Sequence, residues 1–574
     1  MRFRQTDLLL LHPPSVYDFR KMLLPPRPIA DLVPSSAIFE MFPIGFSFLG
    51  DYLERYGFRV RVANLAVRML EEPRFDAERF IARTRPGAFG IGFHWLPHAQ
   101  GALEIARICK RRHPDIPVIM GGYSATVFHA ELMEHPEVDY VVRGDSGEEP
   151  LLRLMRAIGS GGDVSEVPNL TYRDGSGRTV SNELSWVPAD LDHLGDNYLY
   201  MIRSAVRNAD VRGVRAFKGW WSYPVAAVLT VKGCTRGCAF CGGSAYAMKN
   251  CFNRTGLALR RPAEVASDLA SIASFTSAPV FVIGDIRQPG EDYAAEVLER
   301  ISATRVPNHV VLELFEPAGA GFFDAVASAL PNFAIELSPE THDEEIRRRC
   351  GKTYTNAAIS ECIGAALQRG CTKFDLFFMI GLSGQDTASV MDTVSWCETL
   401  LAEHGPRFNP LIGPLAPFLD PGSLAREEAA SRGYRVLLHT LDDHVKALLE
   451  PHWRDLLGYE TDCMSRQDIV DATYLALREL NRARERHGQV TAEFAAEMDG
   501  FLEENVAMLG RLDRINAMDD TALRQARLAG MKGEADRLRA RGELVKEQLA
   551  WPLEGPAFRY GSIARRLIRK RRAA

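Results

Sequence analysis

The chain has 574 residues, 46% hydrophobic and 25% charged, with a net charge of −5. That length exceeds one ordinary domain and asks for about two to four, while the acidic balance argues against a general nucleic-acid binder. No run approaches the ~18 apolar residues of a membrane span, and the N-terminus enters a strand-like DLLLLH without a signal-peptide pattern.

Residues 1–190 read as a domain of alternating strands and helices with its linker. DLLLLHPPS (7–15) is an apolar run stopped by prolines, hence a first strand and loop. A Pro-rich segment precedes PIGFSFLGDYLERYG (43–57), whose apolar spacing and closing glycine predict a helix. FRVRVANLA is a strand with Val60, Val62 and Leu65 near the alternating face. AFGIGFHW (88–95) is the next strand, AQGALEIARICKRRHP a helix ended by Pro114, and IPVIMGG (116–122) a strand running into a glycine pair. VDYVVRGD (138–145) and the helix EEPLLRLMRAI close the series. Such alternation predicts a parallel sheet wound on both faces, which binds ligands at the carboxyl ends of its strands. Gly121 and Gly122 sit at such an end, where a missing Cβ lets a bulky ligand approach the backbone. His12, His94 and His98 also fall near these ends. An imidazole is a competent metal ligand, although a lone loop histidine more often packs or hydrogen-bonds.

From 156 to about 190 the composition shifts to Gly, Ser, Asp and Asn, with a small hairpin expected around Asp174-Gly175-Ser176-Gly177. The aromatic-rich stretch 195–223, with Tyr198, Tyr200, Trp220, Trp221 and Tyr223, is expected to pack as core or to cover an active site. Then comes AVLTVKGCTRGCAFCGG (227–243). A short β-branched strand ends at Lys232-Gly233 and is followed by Cys234, Cys238 and Cys241 at C-x3-C-x2-C spacing. Three thiolates in one tight loop suit a metal centre, and soft sulfur selects zinc or iron–sulfur. Structural zinc wants a fourth Cys or His at matching spacing, and no such pair follows. Three ligands leave one iron of a [4Fe–4S] cube open, and Phe240 is placed to shield it. The other seven cysteines show no disulfide framework, so a reducing, cytoplasmic location is expected.

Beyond the triplet about six strand–helix units run to residue 425: the strands PVFVIGD, HVVLELFEP, FAIELSPET, KFDLFFMIGLSGQD and RFNPLIGPLAPFLDPGS alternate with helices such as RRPAEVASDLASIA (260–273). In a barrel, ligands meet at the C-terminal strand ends. Residues 426–574 read as a helical cap rather than a coiled coil, with Ile469, Ala472, Leu475, Leu477 and Leu480 inward on one helix. His439, His444, Tyr459 and Glu460 could reach a substrate, though solvated or packed positions are the plainer reading. The chain ends in ARRLIRKRRAA, where Arg565, Arg566, Arg569, Lys570, Arg571 and Arg572 have no neighbouring acid. Such an end suits weak association with anionic lipid, about 1 kcal/mol per charge, or a frayed solvated terminus.

C-x3-C-x-aromatic-C after a first barrel strand resembles the radical SAM superfamily. The segments PIGFSFLGDYLERYGFRV, HPDIPVIMGGYSAT and VDYVVRGDSGEEPLLRL, covering most of residues 1–155, resemble its cobalamin (B12)-binding branch. The resemblance implies an α/β chain: an N-terminal Rossmann-like cobalamin-binding domain (1–190), a partial (β/α)6 barrel (191–425) and a C-terminal helical domain (426–574). It implies a [4Fe–4S] cluster on Cys234, Cys238 and Cys241 whose open iron chelates S-adenosylmethionine. Gly284 and Asp285 match, in part, the strand end that faces the methionine amino group. Glu336 with Ser338 matches the ribose contacts, and Ile380-Gly381 the motif beside adenine. The loop after the first strand reads L-H-P-P-S-V and departs from D-x-H-x-x-G, so no histidine of that motif is expected on cobalt; His12, His94 and His98 remain the candidates.

The activity implied is C-methylation of an unactivated carbon: a 5′-deoxyadenosyl radical abstracts hydrogen and the carbon radical takes a methyl group from methylcobalamin. Ring or carbon–carbon bond formation without methyl transfer, and a non-catalytic redox or light sensor, are the alternatives. The expected partners are a small-molecule or lipid substrate, an external electron donor, no nucleic acid, and peripheral membrane contact through the basic tail.

Overall fold

The structure, a computed structural model, describes residues 6–23, 38–415, 419–541, 550–553, 555 and 557–562. The basic tail and Ala416–Phe418 of the APFLDPGS segment lie outside these residues.

The first sheet contains β1 (Leu8–His12), β2 (Val60–Asn64), β3 (Ala88–Gly92), β4 (Val118–Gly121), β5 (Tyr140–Val142), β6 (Leu170–Arg173) and β7 (Thr179–Ser181), in the order β2-β1-β3-β4-β5-β6-β7. β1 to β5 are parallel, and the expected hairpin adds β6 and β7 antiparallel at one edge. Leu8 to Leu11 are buried on both faces of the sheet, which is why β1 reads as a continuous apolar run and not as an alternation. The helices Gly45–Arg55, Ala99–Arg112 and Glu148–Ser160 carry the chain between strands or onward from β5. The strand order reverses between β1 and β3, so the carboxyl ends there open a crevice. Gly101 fixes one wall of it: a Cβ at this position would lie 1.8 Å from the Pro14 carbonyl oxygen, so the helix sits directly on the loop after β1.

The second sheet begins with β8 (Ala226–Leu229). A two-stranded ribbon of β9 (Val231–Lys232) and β10 (Ala258–Leu259) leads out of it. β11 (Val280–Ile283), β12 (Val310–Leu314), β13 (Phe333–Glu340), β14 (Phe374–Ile380) and β15 (Phe408–Pro414) complete six parallel strands in the order β8-β11-β12-β13-β14-β15. β8 and β15 form the two edges, giving the open barrel that the strand–helix alternation predicts.

After the barrel, β16 (Tyr434–Val436) and β17 (Tyr459–Thr461) pair antiparallel, and three helices follow, Arg466–Arg486, Ala492–Asn516 and Thr521–Arg541. The first starts at a capping box of Ser465 and Asp468. It buries Ile469, Ala472, Ala476, Leu480 and Ala483, while Leu475 and Leu477 stay partly exposed. The helix touches β15, the helix Thr387–His404 and the helix Ala492–Asn516. Close approach on several sides favours its alanine stripe over its bulkier leucines. Buried Arg484 donates to Asn409 Oδ1 at 3.1 Å and to the Pro410 carbonyl, pinning this helix to the barrel edge. Trp551 packs with Val225, Phe281, Val311 and Ala334, at the entering ends of β8, β11, β12 and β13, and so closes the barrel floor.

Candidate active site

A cavity of about 720 Å³ lies where the carboxyl ends of the two sheets face each other. Its wall takes Gly92, His94, Gly121, Gly122 and Gly144 from the first domain, and all three cysteines of the triplet from the second. Most of the remaining lining is apolar, with Phe46, Phe48, Leu49, Leu151, Leu229 and Val231 prominent, as a site that excludes water requires.

The cysteine loop is braced from several directions. Gly233 turns at φ +90, where a Cβ would lie 2.7 Å from the Gly256 carbonyl oxygen. Gly351, at φ +92, lies against the middle of the loop; a Cβ there would meet the Gly237 carbonyl oxygen at 2.4 Å. Ala239 N–H donates to the Cys350 carbonyl at 3.0 Å, and Gly242 N–H to Asp420 Oδ2 at 2.9 Å. The Asp420-Pro421-Gly422-Ser423 turn thus supports the loop from the far end of the barrel. Arg236 N–H points at Cys234 Sγ at 3.4 Å and Gly243 N–H at Cys241 Sγ at 3.3 Å, the backbone donation that tunes iron–sulfur centres. Burial pushes all three thiols up, most strongly Cys241, so a bound cation is what would keep them as thiolates. Among the described residues no three His, Cys, Asp or Glu side chains surround one metal-ion position. A cluster asks for something different, three thiolates each meeting its own iron beside an open volume. The donor set and the cavity fit that group.

Around the barrel mouth the structure distinguishes residues that the strand ends alone could not. Gly284 lines the cavity and its N–H donates to Glu313 Oε2 at 3.0 Å. Glu313 lines the cavity too, and burial, opposed by that N–H, raises its carboxyl to about 7. Asp285 is instead turned inward: Arg287 holds it at 2.6 Å and Phe315 N–H donates to it at 2.9 Å. Ser338 lines the cavity, whereas Glu336 lies inside the barrel, 2% exposed, with neither oxygen hydrogen-bonded. Burial, with Asp375 and Glu313 nearby, holds the Glu336 carboxyl well above the usual range. The acid that does reach the cavity from β13 is Glu340, ion-paired with Lys352. The pairing register of β13 shifts between Leu337 and Glu340, and Glu340 adopts φ +73. Such irregularities re-aim side chains beside active sites. Ile380 is fully buried and Gly381 lies under Tyr459, whose hydroxyl would be 2.6 Å from a Cβ there; Met379 lines the cavity in their place. Sequence reading placed Glu313 at the ligand-facing end of its strand without giving it a role, and did not single out Glu340 and Lys352. Glu313 pairs in register with Glu336, and Glu340 follows two alternations after it, so strand periodicity held a signal for both acids.

The three histidines come together. Ring centroids are 4.9 Å apart for His12 and His98, 4.7 Å for His94 and His98, and 5.7 Å for His12 and His94. His12 and His98 each direct Nε2 to the Phe39 carbonyl, at 3.1 and 2.8 Å. His94 alone lines the cavity, and its Nδ1 has no hydrogen-bond partner. Burial lowers all three, His98 to about 4, so they are neutral imidazoles. Gly122, at φ +124, permits this arrangement, because a Cβ would lie 2.5 Å from His94 Cα. The glycine-lined strand ends and the neutral imidazole fit a large planar metal-centred ligand on this side of the cavity.

The two domains are locked at the cavity rim. Arg254 and Asp145, both nearly inaccessible, form an ion pair across the boundary. Lys232 Nζ lies 3.3 Å from Glu148 Oε1 and 3.0 Å from Ser146 Oγ. Of the other residues noted in the sequence, His444 packs against Phe128 and Glu460 pairs with Arg435. The aromatic stretch 195–223 is absent from the described cavity wall; Tyr198 hydrogen-bonds to Ala227 and Trp220 and Trp221 lie at another surface.

Family comparison matches residues 32–154 to a B12 binding domain and residues 228–397 to the Radical SAM superfamily. A stretch of 148 residues is 26% identical to the hopanoid C-3 methylase of Methylococcus capsulatus, and one of 141 residues is 27% identical to the cobalamin-dependent radical SAM methyltransferase TokK of Streptomyces tokunonensis. These alignments cover 25% and 24% of this chain, and only 28% and 19% of those two proteins. The fold resembles the radical S-adenosylmethionine methyltransferase TsrM from Kitasatospora setae, with a TM-score of 0.54 and 18% identity over 75% of this chain and 81% of that one. It also resembles the cobalamin-dependent S-adenosylmethionine radical enzyme OxsB, with a TM-score of 0.56 and 11% identity over 95% of this chain and 80% of that one.

Proposed function

We propose that this chain, in which a B12-binding domain precedes a Radical SAM domain, is a cobalamin-dependent radical SAM enzyme that methylates an unactivated carbon of a small-molecule or lipid substrate. The observation that carries the reading is the shared cavity: the cysteine triplet and the glycine-rich strand ends of the first sheet line one volume. A sensor has no need to bring two cofactor beds onto a common, mostly apolar chamber, whereas a radical reaction does, because the reacting groups must be in contact and water excluded.

When bound, the cluster, S-adenosylmethionine and cobalamin supply a hydrogen-abstracting radical and a transferable methyl group. Cys234, Cys238 and Cys241 would hold three irons of the cluster. Gly284 would leave room for the methionine part of S-adenosylmethionine, and Glu313 would accept from its amino group in place of Asp285. Ser338 and the Glu340–Lys352 pair provide the polar contacts beside it. Gly92, Gly121, Gly122 and Gly144 would leave room for the corrin, and His94 is the histidine placed to meet it. The apolar wall from Phe46 to Leu151 keeps the reacting carbon dry. An external donor would supply the electrons.

The test is anaerobic incubation of the reduced, reconstituted enzyme with S-adenosylmethionine labelled with a deuterated methyl group and a lipid and metabolite extract. The expected result is 5′-deoxyadenosine together with a product carrying the labelled methyl. Cleavage of S-adenosylmethionine with a product that takes up no label sinks methyl transfer and leaves ring or carbon–carbon bond formation. No cleavage at all sinks the enzyme reading.

A further inference from the structure

Outside the described cavity wall, the aromatic residues before β8 meet Phe558. Trp221 and Phe558 have ring centroids 4.7 Å apart, Trp220 and Trp221 5.5 Å, and Phe558 and Tyr560 6.0 Å. These rings are not all buried: Trp221 is 43% exposed and Tyr560 72%. Trp221 shares a surface groove with Val211, itself 50% exposed, and with Arg212. Arg212 and Glu72 continue into a second groove, where Arg74, Arg79 and Arg83 are exposed. The acids on this face are Glu71, Glu72 and Asp76, of which exposed Asp76 caps the helix Ala77–Arg83 by accepting from Arg79 N–H and the two glutamates are ion-paired. Glu71 pairs with buried Arg215, and Glu72 lies 3.3 Å from Arg212 and 3.5 Å from Arg68. The face therefore presents aromatic and aliphatic surface bordered by arginines in excess. Outside the described residues, starting three positions after Tyr560, the sequence reads IARRLIRKRRAA, with six basic residues and no acid.

We infer that this face docks on an anionic lipid bilayer. Exposed tryptophan and tyrosine beside aliphatic surface suit the boundary between headgroups and acyl chains, and arginines around them suit negatively charged headgroups. A basic segment of the tail's composition adds attraction that fades within a Debye length of the surface. Among the described residues no helix is long and apolar enough to cross a membrane, so the contact is one of surface binding. The inference stands whether or not the enzyme transfers methyl groups, since none of the residues of this face lines the cavity.

The experiment is co-sedimentation of the full-chain holoprotein with vesicles of phosphatidylcholine alone or of phosphatidylcholine with phosphatidylglycerol, at low and high salt. Binding is expected to the anionic vesicles only, to weaken with salt, and to shift tryptophan emission to the blue. Trp221→Ala with Tyr560→Ser, Arg79→Glu with Arg83→Glu, and removal of residues 563–574 are each expected to lower binding about tenfold or more, with cluster absorbance and S-adenosylmethionine cleavage unchanged. Equal binding to both vesicle types, binding to neither, or full binding by the Trp221→Ala, Tyr560→Ser variant overturns the inference. So does preferential binding to nucleic acid in competition with the anionic vesicles.

Discussion

Glu148 is the residue through which the junction of the two domains can be measured. It opens the helix Glu148–Ser160, is 2% exposed, and faces Lys232, which follows the first barrel strand by three residues. Burial opposes its ionisation, but Lys232 and His193 beside it hold its carboxyl down at about 2, against an ordinary value of 4.5. At 1.36 kcal/mol per tenfold, that difference is worth about 3 kcal/mol of folded-state stability. An independent figure from Coulomb attraction at 3.3 Å with an effective dielectric of about 20 is about 5 kcal/mol before desolvation. Glu148→Gln keeps the shape and removes the charge, so it leaves the Lys232 ammonium in the rim without its counter-ion. Urea unfolding of the cluster-free chain should show a loss of about 3 kcal/mol at pH 7. The carboxyl is depressed in the folded state, so its contribution is present above pH 4.5 and is lost as pH falls toward 2. The gap between wild type and variant should be flat from pH 8 to 5 and narrow below that. Adding Lys232→Met to the variant should recover much of the loss, because the stranded charge is gone. A gap under about 1 kcal/mol at pH 7, or one that does not narrow in acid, would refute the reasoning.

Three further outcomes are expected. Glu313, with its carboxyl near 7 through burial, should bind S-adenosylmethionine through its amino group roughly tenfold more tightly at pH 8 than at pH 6; calorimetry on Glu313→Gln should find weaker binding with a smaller pH dependence. Gly351→Ala costs about 1–2 kcal/mol for its positive φ and pushes on the Gly237 carbonyl, so reconstituted iron content should fall severalfold while circular dichroism is unchanged. Full iron loading would show that the loop does not depend on that contact. Trp551→Ala, by emptying the barrel floor, should cost about 3–5 kcal/mol, read as a lowered thermal midpoint, and a neutral result would mean that the floor collapses around the gap.

The sequence alone determined what depends on local spacing. The cysteine triplet is legible because three cysteines within eight residues must share a loop, and the strand–helix alternation is legible because a parallel sheet requires crossovers. What the tertiary structure decided is which of the polar residues at the strand ends reach the cavity. Asp285 and Glu313 both end barrel strands, but Arg287 draws Asp285 into the loop and leaves Glu313 at the wall. Glu336 and Glu340 belong to one strand, and the register shift between Leu337 and Glu340 accompanies their separation into barrel interior and cavity. Of three histidines near strand ends, two are bonded to the Phe39 carbonyl and one is open to the chamber. In each case the deciding partner lies on another strand or loop, and a side chain's direction is set by contacts that linear order does not encode. The chamber itself is the clearest instance, since Cys241 and Gly121 are 120 positions apart and meet only because two sheets present their carboxyl ends to each other.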